Sequence, residues 1–293
     1  MRFSSRLPRP SLPAALLLLA LGLAACATPP PGPAPDDAPA TPSAEARPGP
    51  VRVPPVPVAG SRIASVPLPG LLTLPPGPGP HPVVILLHGC GGVGGNQLLW
   101  ARRLLGWGYG SLVLDSLAPR GQRSVCAPDR QPLVTRTDRA GDAIAAARWL
   151  AQVPGVDAGR IGVLGGSHGG ATAATLALRE FEAQSGGLIR GVVDYYGACR
   201  QPERQGTTPM LALAGEADSW SNPAAACRAF AARLPPGRDF TVQTYPGVVH
   251  AFDNPQLTQR RESEGHAMQY DAAAAEDSFR RVRAFLDRVL APR

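Results

Sequence analysis

The chain has 293 residues, 44% of them hydrophobic and 17% charged, which is enough apolar material for one large packed domain and excludes global disorder. Its formal charge is +7 and every basic residue other than histidine is an arginine, so Schiff-base and Ser-Lys chemistry are excluded for want of a lysine. The arginines are scattered among acids, with no basic stripe and no interleaved aromatics, so no nucleic-acid partner is expected.

Residues 1–26 run from the basic start Arg2, Arg6, Arg9 through the apolar stretch Ala14–Leu23 to Leu23-Ala24-Ala25-Cys26. A positive beginning, a short apolar run and small residues before a boundary describe an export signal, too short to be a spanning helix. Leu-Ala-Ala-Cys resembles the bacterial lipobox, whose cysteine becomes the lipidated first residue. The expectation is therefore a lipid anchor at Cys26 on the periplasmic face, with Ala27 favouring the outer membrane. Residues 27–60 are rich in proline and alanine, as in Val53-Pro54-Pro55-Val56-Pro57, and read as an extended stalk ahead of a domain over 61–293.

From residue 83 the sequence alternates between continuous apolar runs and helical periodicity. Strands are expected at 83–87, 111–114, 160–165, 189–195, 210–214 and 240–245. Helices are expected at 96–107, at 136–152, from 168 to about 183, at 222–234 and at 271–290. Fully apolar strands separated by helices indicate a parallel sheet buried on both faces, doubly wound, with functional loops beyond the strands' carboxyl ends. The fold class is therefore α/β.

Gly165-Gly166-Ser167-His168-Gly169 matches G-x-S-x-G and sits between a strand and a helix, the setting in which that motif exposes a serine hydroxyl on a strained turn. Asp218 follows the strand at 210–214 and His250 follows the strand at 240–245, giving the chain order Ser…Asp…His of a hydrolase triad. Ser167 is the expected nucleophile, His250 the base and Asp218 the acid that orients it, with Glu216 and Asp253 as rivals for the last role. The oxyanion hole is expected from the backbone N–H groups of His168 and Cys90, the latter in His88-Gly89-Cys90-Gly91-Gly92 after the first central strand. The side chains of His88 and His168 read as structural.

Cys26 aside, four cysteines remain: Cys90, Cys126, Cys199 and Cys227. Of three possible pairings, Cys90–Cys126 and Cys199–Cys227 are favoured, because each joins segments leaving neighbouring strands at one sheet edge; four free thiols are the alternative. No metal is expected, since no CxxC pair exists and the five histidines do not cluster with carboxylates. No dinucleotide or phosphate-loop signature calls for a cofactor. Arg120 either pairs with a substrate carboxylate or ties its own loop; Tyr196 and Trp220 either line the pocket or belong to the core.

His88-Gly89-Cys90-Gly91-Gly92, Asp115-Ser116 with Arg120-Gly121, Arg139-Ala140-Gly141-Asp142-Ala143, the elbow and His250-Ala251-Phe252 together resemble the dienelactone hydrolase family of α/β hydrolases. The likeness covers roughly residues 60–291. The founding enzymes of that family carry cysteine at the elbow where this chain has Ser167, so the resemblance implies the fold and the triad geometry and not the dienelactone substrate. The expected activity is hydrolysis of a small-molecule carboxylic ester or lactone through an acyl-enzyme. A peptidase or acyltransferase on the same fold, and a non-catalytic envelope-binding lipoprotein, are the alternatives. Membrane contact is expected only through the lipid anchor.

Overall fold

The computed structural model describes residues 49–61, 63–127 and 133–292. The segment expected to be an export signal, Cys26 and the first part of the proline-rich segment lie outside the described residues.

Two strands missed by the sequence reading open the fold: β1 (Gly49–Val53) and β2 (Leu68–Thr73). They are followed by β3 (His81–Leu87), α1 (Gly95–Gly106), β4 (Gly110–Leu114), α2 (Arg136–Leu150), β5 (Val156–Gly166), α3 (His168–Leu176) and α4 (Arg179–Ser185). The chain continues through β6 (Ile189–Tyr195), β7 (Met210–Gly215), α5 (Pro223–Ala231), β8 (Phe240–Tyr245), the short hairpin β9 (Arg261–Ser263) and β10 (His266–Met268), and α6 (Ala272–Val289). Eight strands form one sheet in the order β1-β2-β4-β3-β5-β6-β7-β8. Strands β3 to β8 pair in parallel, while β1 and β2 add an antiparallel edge beside β4. This is the doubly wound α/β-hydrolase architecture, with β5 at its centre.

The alternation along β3 divides the core into two layers. Val83, Ile85 and Leu87 pack with Ile144 of α2 and Leu176 of α3, whereas Val84 and Leu86 pack with Trp100 of α1 and Phe279 of α6. Both faces of each central strand are therefore covered, which is why these segments read as unbroken apolar runs. Helix α6 needs only one apolar stripe, and Ala275, Phe279, Val282 and Leu286 recur at the spacing that supplies it.

Two boundaries differ from expectation. Gly49–Val53 was assigned to the stalk, yet it is a strand whose register runs from Gly49 opposite Leu72 to Val53 opposite Leu68, so the folded domain begins before residue 61. Pro48 and Pro50 stand at its start and Pro54 directly follows its end, yet Val53 is fully buried, so the composition of the segment concealed a strand. The single helix expected from 168 to about 183 is two helices. Leu178 is extended and bridges Gln205, and the Ala177 carbonyl accepts from the Gly206 N–H at 2.8 Å, so a crossing loop takes over the helix's hydrogen bonds.

Candidate active site

Ser167 stands between β5 and α3 with φ 57° and ψ −119°, a left-handed conformation that a serine adopts only when its surroundings impose it. The constraint comes from both sides: its N–H donates to the Tyr195 carbonyl at 2.8 Å and its carbonyl accepts from Ala171 N–H at 2.9 Å. The neighbouring glycines allow this turn for a steric reason. A Cβ on Gly165 would overlap the Gly169 carbonyl, and one on Gly169 would overlap the Leu87 carbonyl, so helix and strands meet backbone to backbone.

The expected acid and base arrive from the next strands along. Asp218 follows β7 and His250 follows β8; their loops are stitched by Glu216 N–H to the Tyr245 carbonyl at 2.9 Å and Ala217 N–H to the Val248 carbonyl at 3.0 Å. His250 Nδ1 lies 2.7 Å from Asp218 Oδ2, with both residues buried. The other carboxylate oxygen, Asp218 Oδ1, accepts the Trp220 N–H at 2.9 Å, which fixes the carboxylate plane. The rival acids are engaged elsewhere. Glu216 pairs with Arg228 at 2.6 Å on the surface, and Asp253 accepts from Tyr196 Oη at 2.6 Å, Trp100 Nε1 at 2.7 Å and Asn96 Nδ2 at 3.1 Å.

Ser167 and His250 line one cavity of about 320 Å³ together with Cys90, Tyr196 and Trp220. The imidazole lies between two aromatic rings, with centroid distances of 4.6 Å to Tyr196 and 5.0 Å to Trp220. Both aromatic residues raised by the sequence thus face the site. The loop after β3 comes near the elbow: a Cβ on Gly89 would stand 3.8 Å from the Ser167 Cβ. The next amide, of Cys90, donates to no acceptor among the described residues, and His168 is the first residue of α3, whose amide no helix can satisfy internally. The disulfide Cys90–Cys126, Cα–Cα 4.9 Å, and the Val125 N–H to Cys90 carbonyl bond of 2.8 Å tie this loop down. Cys199–Cys227, Cα–Cα 4.8 Å, joins the segment after β6 to α5, so both expected pairings are present.

The sequence model of the dienelactone hydrolase family matches residues 68–290. The chain belongs to the dienelactone hydrolase family. Solved structures agree on the fold. A dienelactone hydrolase from Anabaena variabilis superposes with a TM-score of 0.61 at 19% identity, covering 84% of this chain and 99% of that one. A dienelactone hydrolase-like promiscuous phosphotriesterase from metagenomic libraries gives 0.59 at 19% identity, covering 83% and 99%. A thermophilic carboxylesterase cloned from a metagenomic library gives 0.58 at 20% identity, covering 86% and 91%. No curated protein sequence matches the chain. By family this dienelactone hydrolase relative is a hydrolase of the esterase type.

Three side chains underlie the segments that flank Ser167: Arg139, which had no role of its own in the sequence analysis, and His88 and His168, which read there as structural. Arg139 is completely buried, donating from one nitrogen to the His88 carbonyl and from another to His168 Nδ1, each at 2.6 Å. It ties the loop after β3 to the first residue of α3, the two segments that flank Ser167. Burial lowers its pKa to about 10, with Asp142 and Asp115 opposing the shift. His88 donates from Nδ1 to the Gly89 carbonyl at 2.7 Å and accepts the Ser116 N–H on Nε2 at 3.3 Å. Burial, followed by the Arg139 charge, lowers the pKa of His88 to about 4 and that of His168 to about 3, so both imidazoles are neutral. Their structural reading agrees with this geometry.

Arg120 does not face the cavity, which corrects its assignment as a substrate contact. Its guanidinium makes two 2.8 Å bonds to the Asp142 carboxylate and one of 2.7 Å to the Ser116 carbonyl, so a bidentate tie consumes the fork that a substrate would need. Two residues of the β9–β10 hairpin, Ser263 and Met268, complete the cavity wall, and its His266 stacks on Trp220 at 5.1 Å. Strands of three residues leave too short a pattern for a sequence reading to find.

Proposed function

We propose that the protein hydrolyses a small or medium carboxylic ester or lactone through an acyl-enzyme on Ser167. The observation that carries this reading is the 2.7 Å Asp218–His250 bond beside a cavity that His250 shares with Ser167. His250 takes the Ser167 hydroxyl proton as the oxygen attacks the substrate carbonyl, then returns it to the departing alkoxide. Asp218 holds Nδ1–H and so directs Nε2 at the serine; its charge stabilises the imidazolium that forms. The amides of Cys90 and His168 receive the developing oxyanion, each contributing about 3 kcal/mol to lowering the barrier. Water then repeats the attack on the acyl-enzyme. A cavity of about 320 Å³ is near the lower end of those that take small ligands, which favours short acyl groups.

The protein is further proposed to be exported and anchored through a lipid on Cys26. Two disulfides support an oxidising compartment. Replacement of Cys26 by serine is expected to release the protein from the membrane fraction, and retention in that fraction would contradict the anchor.

The activity is tested on protein lacking residues 1–26, measured with p-nitrophenyl esters from acetate to octanoate and with a fluorophosphonate label. The parent is expected to turn over and to label, while Ser167→Ala does neither, with kcat down by about a millionfold. A folded parent that neither labels nor hydrolyses any ester would sink the proposal.

A further inference from the structure

A cavity of about 720 Å³, larger than the one at Ser167, lies elsewhere in the molecule. It lies behind the elbow, between the start of α2 and helices α3 and α4, and its apolar wall is formed by Ala171, Leu178 and Phe181. Ser167 lines the first cavity and His168 lines this one, so the elbow backbone separates them.

Its polar rim is unusual in sign. Arg136 lies at the boundary between this cavity and an adjoining cleft of about 400 Å³, lining both, and Arg200 and Arg233 line the cleft. Arg204 at the far rim is paired with Glu180, and Arg233 lies 3.9 Å from Glu203. Arg136 and Arg200 have neither an ion pair nor a side-chain hydrogen bond among the described residues. They are close enough that Arg200, after burial, lowers the Arg136 pKa. Arg136 likewise lowers that of His168, beside which it lines the larger cavity.

The acids nearby do not relieve this. Asp138, at the start of α2, is buried and accepts from Thr135 N–H at 2.8 Å, Thr135 Oγ1 at 2.7 Å and Ser61 Oγ at 3.0 Å. Its charge is spent on capping the helix. Arg136, half-buried, and Arg200, exposed, line one cleft with like charge, and an anion standing between them relieves their screened repulsion. Guanidinium forks suit the planar oxygens of a carboxylate, and a mostly apolar cavity with a few converging charges is the usual form of a small-molecule site.

We propose that this second cavity binds an amphiphilic carboxylate, with its head between Arg136 and Arg200 and its apolar body against Leu178 and Phe181. Neither arginine belongs to the Ser167 machinery, so the site stands independently of the esterase reading. A ligand there touches the opposite side of His168 from the first cavity, and its negative charge offsets the positive field of Arg136 on that residue. An ester hydrolase releases carboxylates, so its own acid product and a separate effector share the required chemistry.

The test is calorimetric titration of the full chain, in low salt, with sodium octanoate, octan-1-ol and inorganic phosphate. The same titrations are made on the double variant Arg136→Gln/Arg200→Gln, with thermal unfolding to establish that it is folded. The expected result is saturable octanoate binding to the parent, weakened at least about tenfold in the double variant, as removal of two charge-assisted contacts requires. Octan-1-ol and phosphate are each expected to bind at least about tenfold more weakly than octanoate, since one lacks the head and the other the body. Absence of saturable octanoate binding would overturn the proposal. So would equal affinity in the double variant, which places octanoate elsewhere, or phosphate binding as tightly as octanoate, which makes this a bare anion site.

Discussion

The two halves of the candidate catalytic cleft are built by different physical means. The elbow is held by backbone against backbone: Gly165 and Gly169 admit carbonyls where any side chain would stand, and Ser167 is fixed by two main-chain hydrogen bonds. The acid–base half is held by side chains. Asp218 grips His250 and the Trp220 amide, and Tyr196, seated under the imidazole, is anchored by Asp253, which Trp100 and Asn96 also reach. A backbone-built region tolerates no added atom, whereas a side-chain-built region can lose one partner and keep its shape. The first should fail in folding and the second in chemistry.

Gly169→Ala is the severest way to break that contrast. Its Cβ would overlap the Leu87 carbonyl, which belongs to a central strand and cannot withdraw. Overpacking of this kind costs about 3 kcal/mol or more, so the variant is expected to lose cooperative unfolding as well as activity. A folded and active Gly169→Ala would show that the elbow can relax.

Asp218→Asn tests the other half. Thermal stability should stay within a few degrees of the parent, while kcat falls by about ten-thousandfold, because the amide no longer selects the working tautomer. Asp253→Asn should cost far less in kcat, and the reverse ranking would transfer the orienting role to Asp253.

Removing the Cys90–Cys126 bridge, by Cys90→Ser/Cys126→Ser, lies between the two halves. The bridge closes a loop of sequence separation 36, worth about 4 kcal/mol in chain entropy. The midpoint of thermal unfolding should drop by on the order of 10 °C, and kcat by no more than the roughly hundredfold that loss of one oxyanion donor entails. An unchanged kcat would mean that the loop is held by Arg139 and the Val125–Cys90 bond alone.

The smallest effect concerns pH. Burial raises the Asp194 pKa to about 7, with the Gly197 N–H opposing the shift. A raised folded-state pKa contributes stability that is full below the unfolded value near 4 and is lost as pH rises through about 7. His88 and His168 act oppositely: with folded pKa values lowered to about 4 and about 3, they withdraw stability as pH falls below about 6.5. Asp194→Asn should therefore raise the unfolding midpoint at pH 8 relative to its effect at pH 5. An equal effect at both values, measured by thermal melts across that range, would show that Asp194 is ionised throughout.

Much of the fold was legible in the sequence because parallel strands covered on both faces carry no polar interruptions. The runs at 189–195 and 240–245 match β6 and β8 to the residue, and that at 83–87 matches β3 but for its first two residues. Strand β1 was not legible: its burial alternates, its last residue runs into prolines, and its partner β2 supplies the reason for it to be extended at all. Helix α3 ends at Leu176 because Gln205 and Gly206, almost thirty residues on, take the backbone groups of 177 and 178. Local propensity through that alanine-rich stretch contains no trace of this.

Within the site, the same division holds. Ser167, Asp218 and His250 could be proposed from the sequence because strand ends, glycine spacing and chain order constrain them, and the disulfides could be read because only neighbouring strands bring thiols together. Partner choice among side chains was left to the tertiary structure. Only there does Arg120 turn to Asp142, Asp253 to Tyr196, and Arg139 to the two segments flanking Ser167. The second cavity, with Arg136 between it and the cleft that Arg200 lines, belongs to the same class. Sequence determines periodicity and backbone stereochemistry, which act within a few residues; side-chain pairing depends on which elements the sheet brings together across a hundred residues, and that is a property of the folded chain alone.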